Sequence, residues 1–450
     1  MVSDIIIIGG GAAGLMAAIG INSKDKGLNI ILMEKMPRPG RKIMITGKGR
    51  CNFTNVKSWN DFIGHIRSKS NFLKPAFHNL PPEGVIDILE RQGVATIVER
   101  GDRAFPVSHK STDVVDALVR AASSTGCIIR TGCGISEIDY VDDKSCYRLK
   151  TFSGEILLCK KLIISTGGLS YPATGSSGDG YPWAQKFGHS IKKCFPSLTA
   201  IVPTGYKNGK PDRDGHIDRS TPLSEFGKSL CGFSLKNVGL SLFVNGDFVQ
   251  GEFGDIDFTD CGLEGPIGFG ISRNCVKAMI NGSKCRIEID LKFGVKPEEL
   301  KTRLINIWQS IDDDPRSKMA PISARLKVLL RKLMPAELIR PFIEYNPEFI
   351  KGKGKGKNAT IDYDTLTFSL QHWSFNIAGY VGYERCVVTA GGISTDEILP
   401  KTMESRLRPG LYFCGEILDI DADTGGYNLQ LAFSTGYLAG QSAANSLTGI

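Results

Sequence analysis

The chain has 450 residues, 41% of them hydrophobic, and a formal net charge of +8. This length sets a prior of about three domains with ordinary cores, and the mild positive charge suits an anionic substrate or a bound diphosphate without being a nucleic-acid signature by itself. The twelve cysteines are scattered with no C-x-x-C pair and the six histidines do not cluster, which argues against zinc, iron–sulfur and dithiol-reductase chemistry and for reduced, buried thiols.

The first stretch organises the rest. Asp4-Ile5-Ile6-Ile7-Ile8 is a β-branched apolar run, the pattern of a parallel strand buried on both faces. Gly9-Gly10-Gly11-Ala12-Ala13-Gly14 follows, then a helix-forming segment from Leu15 to Ile19, then a second apolar run, Asn29 to Met33, that ends in Glu34. Each glycine has a task in dinucleotide binding: Gly9 permits the tight turn, Gly11 lets a pyrophosphate approach the backbone, and Gly14 lets the helix lie close to the strands. The helix start, at Ala12 and Ala13, turns free N–H groups and a positive dipole end toward the phosphates. Glu34 falls 20 residues after Gly14, placed to accept from the hydroxyls of an adenosine ribose, which favours FAD or NAD over NADP. The charge-free stretch from Ile5 to Ile21 is broken by glycines and no basic leader precedes it, so the expectation is no membrane span and a cytoplasmic location.

Lys35 to Asn55 is a long loop rich in glycine and bases, containing Gly49, Arg50, Cys51 and Asn52. Its place after a nucleotide site points to phosphate or flavin contact, with Arg41, Lys42 and Arg50 able to neutralise a diphosphate. Residues 61–99 read as helical with a break at Pro81-Pro82, with His65 and His78 on the surface, and Arg103 to Ser108 reads as an irregular link. Ile135 to Asp139, Tyr147 to Thr151 and Glu155 to Cys159 read as an antiparallel meander, and Lys161 to Ser165 as a further, buried parallel strand. That strand runs into Thr166-Gly167-Gly168-Leu169-Ser170-Tyr171 and more glycines, the composition of a loop packed on a cofactor at a strand's C-terminal end.

After Pro196 the chain turns to short strands, at Ala200 to Pro203, Leu230 to Phe233, Ser241 to Asn245 and Asp247 to Gly251. Gly265 to Ile280 and Pro297 to Ile343 read as mostly helical. Lys351 to Lys357 alternates lysine with glycine and has no aromatic residue, so it reads as a solvated loop rather than a stacking platform. Thr365 to Gln371 and Arg385 to Thr389 return to strand character. The last strand, Leu411 to Cys414, ends in Gly415-Glu416, and Gly425-Gly426-Tyr427-Asn428-Leu429-Gln430 opens the final helix. The acid suits a ribityl hydroxyl, and the helix N-terminus suits negative charge on a flavin ring.

With these stretches read, the chain resembles the YhiN/BaiN-like (aminoacetone oxidase-family) FAD-binding flavoproteins, also labelled NAD(P)/FAD-dependent oxidoreductases. The resemblance rests on Gly9 to Gly14, Gly40-Arg41-Lys42, Gly49 to Asn55, Thr166 to Ser176, Val388 to Ile393, Gly415 to Asp419 and Gly425 to Gln430, and runs essentially end to end. It implies an α/β fold: a glutathione-reductase-type FAD-binding Rossmann domain with an inserted β-barrel-like domain carrying a helical subdomain. The expected boundaries are 1–195 and 385–450 for the FAD domain, 196–262 and 349–384 for the β-rich insert, and 263–348 for the helical subdomain. The resemblance also implies an adenine contact at the backbone of Ile135. Lys48 departs from the family loop, which often has another glycine there. Family members have been connected to reduction of conjugated bile-acid ketones and to oxidation of aminoacetone, so the substrate does not transfer with the fold.

The expectation is an FAD-dependent oxidoreductase that works through the flavin N5 on a small organic substrate bound between FAD domain and insert. NAD(P)H is the expected transient electron donor, without a domain of its own, because no second G-x-G-x-x-G follows a strand. Asn52, Tyr171, Tyr427 and Asn428 are candidate positioning groups near the ring; no catalytic acid or base and no metal ligand stands out. No nucleic-acid partner and no membrane contact is expected. The alternatives are an amine oxidase using O₂, a flavin-dependent RNA-modifying enzyme, and a non-enzymatic redox sensor with Cys51, beside Arg50, as an activated thiol.

Overall fold

In the computed structural model the isoleucine run lies where its pattern demands, inside a parallel sheet: Ile5, Ile6 and Ile7 of β1 (Val2–Ile8) are fully buried. Each such side chain contributes roughly 1.5–3 kcal/mol of apolar burial. The structure describes residues 2–21, 27–318, 320–352 and 360–448. The chain falls into two compact units, residues 1–197 with 383–450 and residues 198–382.

In the first unit β2 (Ile30–Met33) pairs parallel with β1. A small antiparallel sheet follows, built from β3 (Thr54–Asn55), β4 (Thr96–Glu99) and β5 (Arg103–Pro106) in the order β3-β5-β4. The expected helix to residue 99 and the irregular link at 103–108 are therefore corrected. The helices end at Arg91, and β-branched Thr96, Ile97 and Val98 favour a pleated strand over a further helical turn. β6 (Ile128–Arg130), β7 (Ile135–Val141), β8 (Cys146–Thr151) and β9 (Ile156–Ile164) complete the main sheet in the order β6-β2-β1-β9-β8-β7, and Leu411–Phe413 also pairs with β9.

β9 is one strand of nine residues rather than a meander strand followed by a separate core strand. Its first half pairs antiparallel with β8, its last three residues pair parallel with Leu411–Phe413, and from Leu158 on it pairs parallel with β1. The charged pair Lys160-Lys161, which reads as a break in sequence, sits where the neighbour changes; Lys160 is exposed and its Nζ reaches Asp4 Oδ1 at 2.8 Å. β10 (Ile191–Ser197) pairs with Val388–Ile393, so that return strand starts three residues later than Arg385.

The dinucleotide helix, Ala12–Gly20, packs against the C-terminal helix Tyr427–Thr448 at backbone distance. A Cβ on Gly436 would fall 2.2 Å from Ala13 O, and one on Gly440 would fall 2.0 Å from Ala17 O.

The second unit holds a closed six-stranded barrel: Ile201–Pro203, Leu263–Glu264, Asp247–Phe258, Ser234–Val244, Cys285–Asp290 and Trp373–Tyr380. Two strand expectations fail here. Leu230 ends a helix, Glu225–Leu230, that Ser224 caps by accepting from Gly227 N. Tyr363–Gln371 is a helix capped by Asp362, which accepts from the N–H groups of Asp364 and Thr365; such a side-chain cap outweighs weak β-propensity. Ile350–Lys351 pairs with Thr360–Ile361, and the lysine–glycine tract from Lys353 to Lys357 lies outside the described residues. Among the described residues no helix is long and apolar enough to cross a membrane.

Candidate cofactor site

Four of the predicted stretches leave the C-terminal ends of adjacent parallel strands. β2 delivers Glu34, β1 delivers Gly9 to Gly14, β9 delivers Thr166 to Tyr171, and Leu411–Phe413 delivers Gly415 and Glu416. In an open α/β sheet that edge is where ligands bind.

The first turn is built as its glycines require. Gly9 has φ +103°, and a Cβ on Gly14 would lie 1.8 Å from Gly9 O, so both positions are closed to any other residue. Ser165 Oγ donates to Ile8 O and Gly9 O and ties the turn to β9. At Gly11, by contrast, a Cβ would have nothing within 4 Å of it. The space above Gly11 is open, as a cradle for a diphosphate requires.

Glu34 is buried at the end of β2. Its Oε2 accepts from Gly10 N at 2.7 Å and its Oε1 from Met36 N at 2.7 Å. Burial pushes its pKa up, while these amides and the charges of Lys35 and Arg41 pull it down. Gly40 N donates to Gly10 O at 2.9 Å, which brings the start of the basic loop onto the glycine turn. Lys35 itself bonds Asp179 Oδ2 at 2.5 Å. Ile135 is buried at the start of β7.

Lys42 and Arg50, which the sequence also offers to a diphosphate, are engaged elsewhere. Lys42 Nζ meets Glu416 Oε2 at 2.5 Å and also bonds Ser170 Oγ. Glu416 Oε1 accepts from Ser170 Oγ at 2.5 Å and from Thr389 N at 2.8 Å. Thr389 Oγ1 in turn accepts from Leu169 N and Ser170 N, and a Cβ on Gly168 would strike it at 2.5 Å. One carboxylate thus joins the basic loop, the loop after β9 and the C-terminal strands. Arg50 pairs with Glu99 and lies 4.4 Å over the Phe105 ring, with Nε 3.2 Å from His109 Nδ1.

At the far end, Gly425 and Gly426 have φ +125° and +95°, and a Cβ on Gly426 would fall 2.4 Å from Thr54 O. Asn52 faces this turn. Its Oδ1 is buried without a hydrogen-bond partner, as is Thr166 Oγ1. A buried acceptor left unpaired is destabilising, so both atoms fit a site meant for a polar cofactor. Asn428 serves the fold: its side chain bonds Ala422 N, Ala422 O and Asp423 O. Leu429 is partly buried in the core behind it. Tyr171 holds a left-handed conformation, φ +52°, and donates its N–H to Tyr383 O at 2.8 Å; Gly167 is left-handed too.

Two sequence expectations are corrected. His65 is not a plain surface residue: it stacks on Tyr427 at 4.3 Å between ring centroids, and its Nδ1 lies 3.1 Å from Asp423 Oδ2. A lone histidine in a polar stretch carries no signal for this; only the fold brings it to the final helix. Cys51 is not an activated thiol. It is fully buried, and desolvation pushes its pKa up to about 12. Among the described residues no group of three metal-ligating side chains exists.

The family model for the HI0933-like protein Rossmann domain matches residues 3–442. The chain belongs to this family. As an HI0933-like protein it is an FAD-binding Rossmann flavoprotein of the oxidoreductase class. Its relatives include a ribosomal RNA dihydrouridine synthase of Haemophilus influenzae, 29% identical over 437 residues, with 97% of each chain covered. A second protein of that description, from Escherichia coli, is 27% identical over 444 residues, again with 97% of each chain covered. A 3-dehydro-bile acid delta(4,6)-reductase of Clostridium scindens is 25% identical over 449 residues, covering 97% of this chain and 98% of the relative.

Proposed function

We propose that this protein is an NAD(P)H-linked reductase of a carbon–carbon double bond conjugated to a carbonyl, and that its substrate is a uracil ring in ribosomal RNA. The observation that carries the reading is the near full-length match to two relatives described as ribosomal RNA dihydrouridine synthases. The third relative, described as a bile acid delta(4,6)-reductase, supports the same bond chemistry on a small molecule. Uracil holds its C5=C6 bond next to the C4 carbonyl, so a conjugated ketone and a uridine ask for one reaction. The formal charge of +8 favours the polyanion.

The net reaction balances simply. NAD(P)H loses a hydride and becomes NAD(P)⁺, the β carbon gains that hydride equivalent, and the α carbon gains a proton from solvent. When bound, FAD supplies the two-electron chemistry that links donor and acceptor at its N5. The chain's own residues hold and orient. Gly9 and Gly14 hold the tight turn, Gly11 leaves open space for the pyrophosphate, Ala12 and Ala13 turn the helix start toward it, and Glu34 and Arg41 flank that turn. Glu416, fixed by Lys42, Ser170 and Thr389, and Asn52 with Gly425, Gly426 and Tyr427 form the opposite end. There the start of a 22-residue helix favours negative charge.

The test uses the purified yellow protein under nitrogen with NADPH and protein-free ribosomal RNA from a bacterium lacking its own homologue. Nucleoside mass spectrometry is expected to show dihydrouridine. Reduction of a conjugated 3-ketosteroid with no dihydrouridine in RNA would overturn the substrate. Flavin bleached by aminoacetone but not by NADH or NADPH would overturn the reductase reading in favour of an amine oxidase.

A further inference from the structure

We infer that the small sheet β3-β5-β4, with the loops that flank it, is the surface on which the RNA substrate docks. The inference rests on the RNA reading above and adds the place and the residues.

Residues 45–57 and 96–110 carry six lysines and arginines against two acids, so these 28 positions hold half of the chain's formal +8. The fold brings the two segments together. Thr54 and Asn55 of β3 pair with Ala104 and Arg103 of β5, and Glu99 of β4 pairs with Arg103 on the other side. Both acids are already neutralised locally: Arg50 holds Glu99, and Lys57 holds Asp102 at 3.1 Å. That leaves Lys48, Arg100 and Lys110 exposed, with no ion pair among the described residues, and Arg103 bonded to the backbone of Arg100. These cations, beside two acids that are already paired, leave the sheet and its flanking loops net positive, a charge that an anionic partner complements.

The same two segments also expose aliphatic side chains. Ile45, Ile97, Val98 and Val107 are among the most exposed aliphatic side chains of the protein. Cations that meet phosphates, interleaved with apolar groups that meet sugars and unstacked bases, describe a face for single-stranded or looped RNA. Its position relative to the redox end of the site is fixed by covalent and hydrogen-bond geometry. β3 pairs with β5 on one side, while Asn55 Nδ2 donates to Gly425 O at 3.2 Å and Thr54 O lies against Gly426. RNA seated on β5 and β4 is therefore one strand away from the turn that opens the C-terminal helix.

The test compares the flavin-loaded wild type with Arg100→Glu/Lys110→Glu and with a control reversal on the other unit, Lys228→Glu/Lys327→Glu. Binding to protein-free ribosomal RNA is read by fluorescence anisotropy over a salt series. NADPH bleaching of the flavin without RNA serves as a check that fold and cofactor are intact. The expected result is wild-type bleaching in all three proteins, an affinity for RNA lowered at least tenfold in Arg100→Glu/Lys110→Glu alone, and a log–log salt slope shallower by about 1.4–1.8, as loss of two phosphate contacts gives. Equal loss in both double variants would overturn the docking surface, because net charge alone would then be responsible. Unchanged RNA binding and dihydrouridine formation in Arg100→Glu/Lys110→Glu would overturn the surface and leave the RNA reading standing. No RNA binding by the wild type would overturn both. Tighter wild-type binding to vesicles containing phosphatidylserine than to RNA would assign the face to a membrane and overturn the inference.

Discussion

Lys42 and Glu416, 374 positions apart in sequence, are joined by an ion pair of 2.5 Å. Both side chains are largely shielded from solvent, and the carboxylate takes further hydrogen bonds from Ser170 and Thr389. Replacing Lys42 by Met strips the Glu416 Oε2 of that partner. The expected loss is about 1–3 kcal/mol, seen as a lower melting temperature and a lower flavin-to-protein ratio after purification. Lys42→Met combined with Glu416→Gln should recover part of the stability but not the flavin. Strictly additive losses in melting temperature would show that the two groups do not act as a pair.

The glycines separate into two kinds, and alanine substitutions should reveal which is which. Gly440→Ala forces a methyl to 2.0 Å from Ala17 O, so we expect about 3 kcal/mol or more of destabilisation, or insoluble protein. Gly11→Ala meets no atom within 4 Å, so the flavin-free protein should melt within about 1 kcal/mol of the wild type. FAD affinity should nevertheless fall about tenfold or more, because the methyl enters the space left for the pyrophosphate. A Gly11→Ala protein that keeps full FAD affinity would remove that assignment.

Lys48 occupies a left-handed position, φ +57° and ψ +37°, between Gly47 and Gly49. A residue with a Cβ is strained there, and glycine is not. Lys48→Gly should stabilise the protein by up to about 1 kcal/mol, the greater flexibility of glycine in the unfolded chain offsetting part of the relief. Lys48→Ala should give no such gain. The comparison is a denaturant melt of the flavin-loaded protein without RNA, and a destabilised Lys48→Gly would contradict the strain.

Alkylation should pass over Cys51. With its thiol buried and its pKa pushed up to about 12, almost no thiolate forms near neutral pH, and reagent cannot reach the sulfur. Iodoacetamide at about pH 8, where an ordinary thiol begins to ionise, should modify the partly exposed Cys133 and Cys231 before Cys51, as peptide mass spectrometry can follow. Rapid labelling of Cys51 in the folded protein would revive the thiol-sensor reading.

Much of the fold is legible in the sequence because its signals are local. The isoleucine run, the spacing of Gly9, Gly11 and Gly14, and Glu34 at the end of β2 all follow from contacts within one β–α–β segment. What stays hidden depends on partners far away in sequence. Lys42 looks like a phosphate ligand when only the basic loop is in view; its pairing with Glu416 exists only once the C-terminal strand lies beside β9. His65 reaches Tyr427 in the same way. The strand β9 reads as two in sequence because a charged pair resembles a turn, whereas between two neighbouring strands lysine can keep its head in water while the backbone stays paired. The helix Tyr363–Gln371 is hard to read for a different reason: one capping residue, Asp362, competes with the β-branched and aromatic residues that follow it, and the cap wins.

The interleaving of Gly436 and Gly440 with Ala13 and Ala17 also has a bearing on biosynthesis. The helix that follows the first glycine turn leaves the ribosome early, yet the helix it packs against is made hundreds of residues later. Glu416, Gly425 and Gly426 likewise emerge long after the glycine turn. A nascent chain therefore holds the glycine turn without Glu416, Gly425 and Gly426 through most of this interval, and the two halves of the proposed cofactor site meet only after the second has been made. Until then the face of Ala12–Gly20 that later meets Gly436 and Gly440 has no partner.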